Sequence, residues 1–171
     1  TSTIDLTEQV RYSKGRKWTI NKAKKESIQT FQSDDYEIFW ELLTGVLESN
    51  HEAKPVHTVE EIRKLASLFP KNIRLFLAKK DEKILSGALI YENQNIVHTQ
   101  YLANSEEGRE LGALDLLIDY LIKDIYKNKK YFDFGISNED AGRYLNTGLI
   151  SQKEGFGARA VVHDFYELEI K

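Results

Sequence analysis

Cysteine and methionine are both absent from the 171 residues. Without cysteine there is no disulfide, no thiolate metal site and no thiol nucleophile, and the composition fits a reducing compartment. Only two prolines occur, Pro55 and Pro70, and each lies at the edge of a helical pattern rather than in a linker. No apolar run approaches 18 residues, so no membrane-spanning helix is expected. Thr1 to Val10 has no apolar core, so no secretory signal is expected there. Neither sign of charge dominates: 24 Lys and Arg face 27 Asp and Glu, for a net charge of −3. Nothing in that balance draws the whole chain to duplex DNA. A GxSxG elbow, a Walker loop and an HExxH motif are all missing, which disfavours serine hydrolase, P-loop and zincin chemistry. The histidines, His51, His57, His98 and His163, show no helical metal-site spacing, so no metal is expected.

What is present suffices for one packed domain. Hydrophobic residues make up 41% and charged residues 30%, a balance that excludes wholesale disorder. A chain of this length buries roughly 70% of its unfolded surface. Residues 1–171 are therefore read as a single domain. Position 1 is threonine, which fits either a removed initiator or a piece of a longer chain.

The segment from Asp5 to Glu26 packs Arg11, Lys14, Arg16, Lys17, Lys22, Lys24 and Lys25 into fifteen positions. It reads as a basic N-terminal helical segment over 1–27, weakened at Gly15. Either a solvated face or a phosphate-binding edge of a cleft would use it. A short strand is expected over Ser27–Gln32. Asp34 with Glu37 has capping-box spacing, with Ser33 an equal cap, before the apolar period Phe39, Leu42, Leu43, Val46, Leu47. Thr58 with Glu61 opens a second helix that Pro70 ends. Three alternating runs, Ile73–Lys79, Ile84–Tyr91 and Ile96–Ala103, are joined by short polar turns and predict an antiparallel meander. A long helix over Glu107–Lys127, a strand over Tyr131–Ile136, a short helix over Asn138–Leu149 and a long last strand over Ala158–Glu169 complete an α/β mixed sheet.

Four places carry candidate chemistry. Gly108, Arg109, Gly112 and Ala113 open the long helix, where free amides, a guanidinium and close backbone approach suit a pyrophosphate. Glu106, Glu107 and Glu110 would repel an anion and suit the helix dipole alone. Asp133 lies in an aromatic strand, where an inward carboxylate must be paired or raised in pKa. The alternative is a carboxylate that faces the other way. His98 could act as a base or be a satisfied sheet histidine. The stretch from Asn146 to Gly157 reads as a polar binding loop, with Lys153 on an anion or simply solvated. His57 sits before a helix cap, and Ser137 or Asn138 is expected to cap a helix at Glu139.

Trp18-Thr19-Ile20-Asn21-Lys22-Ala23-Lys24-Lys25, Pro55-Val56-His57-Thr58, His98-Thr99-Gln100-Tyr101, Phe132-Asp133-Phe134-Gly135-Ile136-Ser137 and Lys153-Glu154-Gly155-Phe156-Gly157 together resemble the Fem-like branch of the GNAT acyltransferases. The likeness covers about Val10 to Leu168. It implies a meander plus two central parallel strands that splay apart, flanked by helices. It implies direct acyl transfer to an amine, from acetyl-CoA or another acyl-CoA, or from aminoacyl-tRNA as in the Fem ligases. The branch includes bacterial proteins in cell-envelope and polysaccharide settings, and its members generally carry two tandem GNAT-like domains. The chain then resembles the second of these, in the cytoplasm, with a small-molecule or envelope-precursor acceptor. The family's Gln/Arg-x-x-Gly-x-Gly/Ala segment is met by Arg109 and Gly112 and departed from at Leu114. Such chemistry needs a base, an oxyanion partner and a proton for the leaving group. Asp133 or His98 is the expected base and Tyr101 or Tyr144 the expected proton donor. His57, Ser137, Asn146, Lys153 and Lys22 are the expected acceptor contacts. A domain that kept the fold for binding or structure alone is the alternative.

Overall fold

The computed structural model describes residues 1–51, 54–164 and 166–169, without the side chains of residues 50 and 51. In chain order the elements are β1 (Ser2–Asp5), α1 (Lys14–Lys25), β2 (Gln29–Ser33), α2 (Tyr36–His51), α3 (Val59–Leu68), β3 (Ile73–Lys80), β4 (Lys83–Glu92) and β5 (Ile96–Asn104). There follow α4 (Glu106–Leu111), α5 (Ala113–Tyr120), a π-helical turn (Leu121–Ile125), β6 (Tyr131–Asp133), β7 (Asn138–Glu139), β8 (Tyr144–Leu145), α6 (Thr147–Gly155) and β9 (Arg159–Ala160). Seven strands form one sheet in the order β2-β3-β4-β5-β6-β1-β9. Every neighbouring pair is antiparallel except β5 with β6. The α/β mixed sheet and its meander thus stand as expected.

Alternation in β3, β4 and β5 places apolar residues on both faces, and each face has its own core. On one, Phe76, Ala88, Ile90, Val97, Phe132 and Ile4 pack against Ile20 and Ala23 of α1, Leu117 and Ile118 of α5, and Phe156. On the other, Leu75, Leu77, Leu89 and Ala103 pack against Phe39, Trp40 and Leu43 of α2 and Ile62 of α3. This second core includes no residue of β1, β6 or β9 among those described, so α2 and α3 cover only the β3–β5 half of that face.

Several helix ends follow local chemistry. Thr58 Oγ1 accepts from Glu61 N at 3.2 Å while Glu61 Oε2 accepts from Thr58 N at 2.8 Å, the expected capping box. For α2 the cap is neither Asp34 nor Ser33: Asp35 Oδ1 accepts from Ile38 N at 3.1 Å, and Ser33 Oγ holds Asp35 N.

Five expectations are corrected. The basic segment is not helical throughout: Ser2–Asp5 is a strand and the helix starts at Lys14, where Ser13 caps it. The short β1 escapes a periodicity search because only Ile4 of its four residues is apolar. The Glu107–Lys127 helix is broken at Gly112, whose φ of +77° ends α4 and restarts the chain as α5. A Cβ there would lie 2.6 Å from Thr19 Cγ2, so α1 sits directly against the break. The Asn138–Leu149 helix is instead the β7–β8 hairpin, with no helix at Glu139 for Ser137 to cap. The polar stretch after it is the helix α6, not a loop. Of the long final strand only Arg159–Ala160 pairs with β1, while Val162, Tyr166 and Leu168 stand exposed. Alternation alone gives no ladder without a neighbour to bond. Phe165, part of that expected strand, lies outside the described residues.

Candidate functional site

The parallel ladder between β5 and β6 is short. It pairs Ile96 with Tyr131, Val97 with Phe132 and His98 with Asp133, and then stops. Thr99 Oγ1 to the Asp133 carbonyl, at 3.5 Å, is the last link across it. Beyond that point β6 turns to its other neighbour: Phe134 N donates to the Ser2 carbonyl and Ser2 N to the Gly135 carbonyl, both at 2.9 Å. On β5 the register slips by one residue between Leu89·Tyr101 and Ile90·Thr99, so Gln100 bulges without a partner on β4. A bulge bends its strand. The result is the expected splay, a slot between the upper part of β5 and the residues after Asp133. Leu102, Phe134, Leu149, Gln152, Lys153 and Phe156 enclose a cavity of about 20 Å³ there. That is room for little more than one water-sized group.

On the face shared with α2 and α3, His98 Nδ1 lies 2.7 Å from Asp133 Oδ2. Thr3 Oγ1 donates to Asp133 Oδ1 at 2.8 Å. Burial works to raise the Asp133 carboxyl, but the hydrogen bonds from His98 and Thr3 outweigh it and hold the pKa below its usual 3.8. An ionised carboxylate at Nδ1 selects the tautomer protonated there and leaves the Nε2 lone pair free. Gly135, with a φ of +72°, keeps that edge of the ring open, since a Cβ would lie 3.3 Å from His98 Cε1. The same face holds Tyr101, whose hydroxyl is 2.8 Å from His57 Nδ1 and whose ring meets Trp40 edge-on at 5.4 Å. The sequence therefore named both pairs, His98 with Asp133 and His57 with Tyr101, without naming the partnerships.

From the other face α6 delivers Lys153. Its residue is only 5% exposed. The ammonium donates to the carbonyls of Gly135 and Ile136 and has no carboxylate in ion-pair contact among the described residues. Burial lowers its pKa from 10.5, and the charge of Asp133 works the other way. Arg16 steadies this helix: it pairs with Asp115, reaches the Gln152 carbonyl at 3.4 Å and lies 4.6 Å over the Phe156 ring. Burial raises the Asp115 carboxyl above its usual range, and that guanidinium offsets only part of the rise. An imidazole–carboxylate pair thus stands where the ladder ends, and a buried cation lines the cavity on the α6 side.

The remaining expected residues fall elsewhere. Tyr144 stands 58% exposed on β8, in the two-stranded β7–β8 sheet rather than the seven-stranded one that carries His98 and Asp133. Asn146 caps α6 by accepting from Leu149 N at 2.9 Å and donates to Glu139. Ser137 is buried, and its Oγ has no hydrogen-bond partner among the described residues. Lys22 donates to the Glu110 carbonyl at 2.7 Å and so pins α1 to α4. The space at the expected pyrophosphate segment is already filled. A Cβ on Gly108 would lie 2.4 Å from Asn104 Oδ1 and 2.5 Å from the Leu85 carbonyl, and Gly112 faces Thr19. Gly108 N is taken by Ser105 Oγ, Ala113 is fully buried, and Arg109 is exposed on a six-residue helix that carries Glu106, Glu107 and Glu110. These residues do not fit a pyrophosphate. Among the described residues no group of three acidic or histidine side chains could hold a metal ion. The side chain of His51 lies outside them. No described helix is long and apolar enough to cross a membrane.

Sequence reasoning missed Thr3, Leu102 and Gly135. A glycine inside the aromatic strand was the available signal for a close approach; Thr3 had none, since its strand is formed only by long-range pairing.

Residues 14–144 match the family model described as an acetyltransferase (GNAT) domain. No curated protein matches the chain. Among solved structures, FemX is similar with a TM-score of 0.76 and 14% identity over 93% of this chain. L-PGS from Bacillus licheniformis is similar with a TM-score of 0.66 and 14% identity over 91%. The chain spans 58% of the FemX chain and 55% of the L-PGS chain. An aminoglycoside acetyltransferase, meta-AAC0020 from an uncultured soil metagenomic sample in complex with sisomicin, has a TM-score of 0.54 and 20% identity, covering 84% of this chain and 96% of that one. At such identities these are likenesses of fold.

Proposed function

The chain belongs to the GNAT acetyltransferase domain family, and from that premise we propose that it transfers a small acyl group from an activated ester or thioester to an amine, in the slot between β5 and β6. One observation supports this: the parallel ladder stops at His98·Asp133, where an oriented imidazole stands on one face of the sheet and the buried Lys153 ammonium comes in from α6 to the carbonyls just after Asp133. His98 Nε2 takes the proton of the attacking amine, and Asp133 holds the ring through Nδ1. The new C–N bond forms as the C–S or C–O bond of the donor breaks. Lys153 stabilises the negative charge on the carbonyl oxygen, and burial keeps that interaction strong. Its lowered pKa also suits it to protonate the departing group. The His57–Tyr101 pair lies on the base's face and there contacts the acceptor. The cavity admits no more than the tip of a short acyl chain, such as the methyl of an acetyl group.

The FemX likeness supports a Fem-like type, with a second GNAT-like domain completing the cleft and an envelope or polysaccharide precursor as acceptor. Acyl-CoA is the donor general to the family, but the filled segment at Gly108 and Gly112 favours a donor held by its acyl end, such as an aminoacyl ester.

Thermal melts with acetyl-CoA, CoA and an aminoacyl-adenosine ester test the donor. Ligand at a hundred times its Kd should add about 2.7 kcal/mol of stability. The slot reading expects a shift that disappears in Leu102→Trp, which fills the cavity. A shift that survives this substitution, or none with any donor, overturns it.

A further inference from the structure

An open pocket of about 370 Å³ lies beyond the slot, where β1 parts from the chain before β9. It has no part in the chemistry described above. Arg11 and Arg159 line it. Neither guanidinium has a carboxylate partner among the described residues; Arg159 donates only to the Ala158 carbonyl. Ile4, Val10, Val161 and Tyr131 supply apolar and aromatic wall. Two acids also line the pocket. Asp5 is turned away into its own tight turn, accepting from Thr7 N at 2.9 Å and Thr7 Oγ1 at 2.6 Å. Glu8 remains as a competing charge. Two free guanidiniums against one free carboxylate suit a single anionic group on an apolar or planar body, not a polyphosphate.

The sheet register ties this pocket to the slot. His98 pairs with Asp133, Asp133 with Thr3, and Thr3 with Arg159. Directly paired residues share a face, so all four side chains stand in one row across β5, β6, β1 and β9. Thr3 both lines the pocket and bonds Asp133. With strands spaced about 4.8 Å apart, Arg159 lies about 14 Å along the row from His98. Neither α2 nor α3 covers this part of the face.

We propose that the pocket holds a carboxylate or phosphate of the acceptor, bound by Arg11 and Arg159 about 14 Å from the amine that reaches His98. The site rests on the acyl-transfer reading for its role, but not for its binding. The acceptor class is then an extended, singly anionic amine rather than a compact polycationic one.

Alanine peptides provide a ruler, since an extended chain spans at most about 3.3–3.6 Å per residue and four residues reach about 14 Å. Their dissociation constants are measured by calorimetry without any donor, for lengths of two to seven, as free acids and as C-terminal amides. The expected result is tightest binding near four or five residues. There the acid should bind about tenfold more tightly than the amide, as charge-assisted pairing to arginine predicts. In Arg159→Ala and in Arg11→Ala the acid and amide should bind alike. Both arginines are exposed, so melts of the variants should match the parent and exclude misfolding. An aminoalkyl phosphate of equal reach distinguishes the two anions: the tighter of the two names the group. Equal binding of acid and amide by the parent, no length optimum, or an acid preference that survives both substitutions overturns the proposal. Because no donor is present, a preserved acid preference in a protein that transfers nothing would sink the catalytic reading and leave this site standing.

Discussion

The two ends of the sheet treat buried charge in opposite ways. At the closed end, Glu92 finishes β4 with a side chain only 9% exposed. It meets Arg74 at 3.3 Å, Lys129 at 2.8 Å and the hydroxyl of Tyr126 at 3.1 Å. Arg74 also lies over the rings of Phe76 and Tyr126. Every charge there is answered, and the knot locks the end of the π-helical turn to the sheet. At the open end, Lys153 is buried with carbonyls for partners, and Ser137 Oγ has no hydrogen-bond partner among the described residues. Burying a charge without a counter-charge costs stability. Glu92 is paired completely and Lys153 is not, and the proposed function gives the latter a use. The difference separates residues that hold the fold from those available for chemistry.

The largest effect that would sharpen this contrast is on rate. His98→Gln should slow transfer by about 10²–10⁴-fold, the usual contribution of a general base, with its melting temperature close to that of the parent. Steady-state rates beside a melt would show it. Next, Glu92→Ala should destabilise by about 2–4 kcal/mol in urea unfolding, somewhat below a fully buried pair because its cations are partly exposed. The rate per folded molecule should not change. Lys153→Met should do the reverse. It should leave stability unchanged or raise it by up to about 1 kcal/mol while lowering the rate about 10²-fold. If Lys153→Met destabilises as Glu92→Ala does, the two ends are alike and the comparison fails.

Titration offers a smaller effect with opposite signs. The folded pKa of Asp133 is depressed, so its contribution to stability is present above about pH 4 and lost as the pH falls below that value. Asp133→Asn should flatten that acid limb of the stability curve. The folded pKa of Lys153 is also depressed, but for a cation this means the native state binds fewer protons. Stability should therefore rise with pH as 10.5 is approached, and Lys153→Met should remove that rise. Smallest of all, Gly135→Ala should cost about 1–2 kcal/mol for a side chain in left-handed backbone, and crowd His98 as well.

The meander and the Thr58 capping box were legible because both are local: alternation and a three-residue spacing carry them. The slot was legible only through resemblance, since nothing near Asp133 tells where a parallel ladder stops. His98 and Asp133 could each be suspected of being a base, but their partnership depends on two strands 35 residues apart falling into register. Gly108 and Gly112 illustrate the opposite failure. Glycines at a helix start read as room for a ligand, yet the room is taken by Asn104, the Leu85 carbonyl and Thr19, which arrive from elsewhere in the chain. Lys153 was suspected as an anion contact in a loop. Its burial in α6 could not be read, because α6 follows a hairpin that the helical pattern concealed.

The central claim is that acyl transfer occurs in the slot with His98 as base. The most direct test follows a mass-labelled acyl group from acetyl-CoA and from an aminoacyl ester to a panel of amines, in the parent and in His98→Gln. The account predicts labelled amide from at least one donor in the parent and a loss of at least about a hundredfold in the variant. Transfer that is unchanged by the substitution, or absent from the parent with both donors, would contradict it.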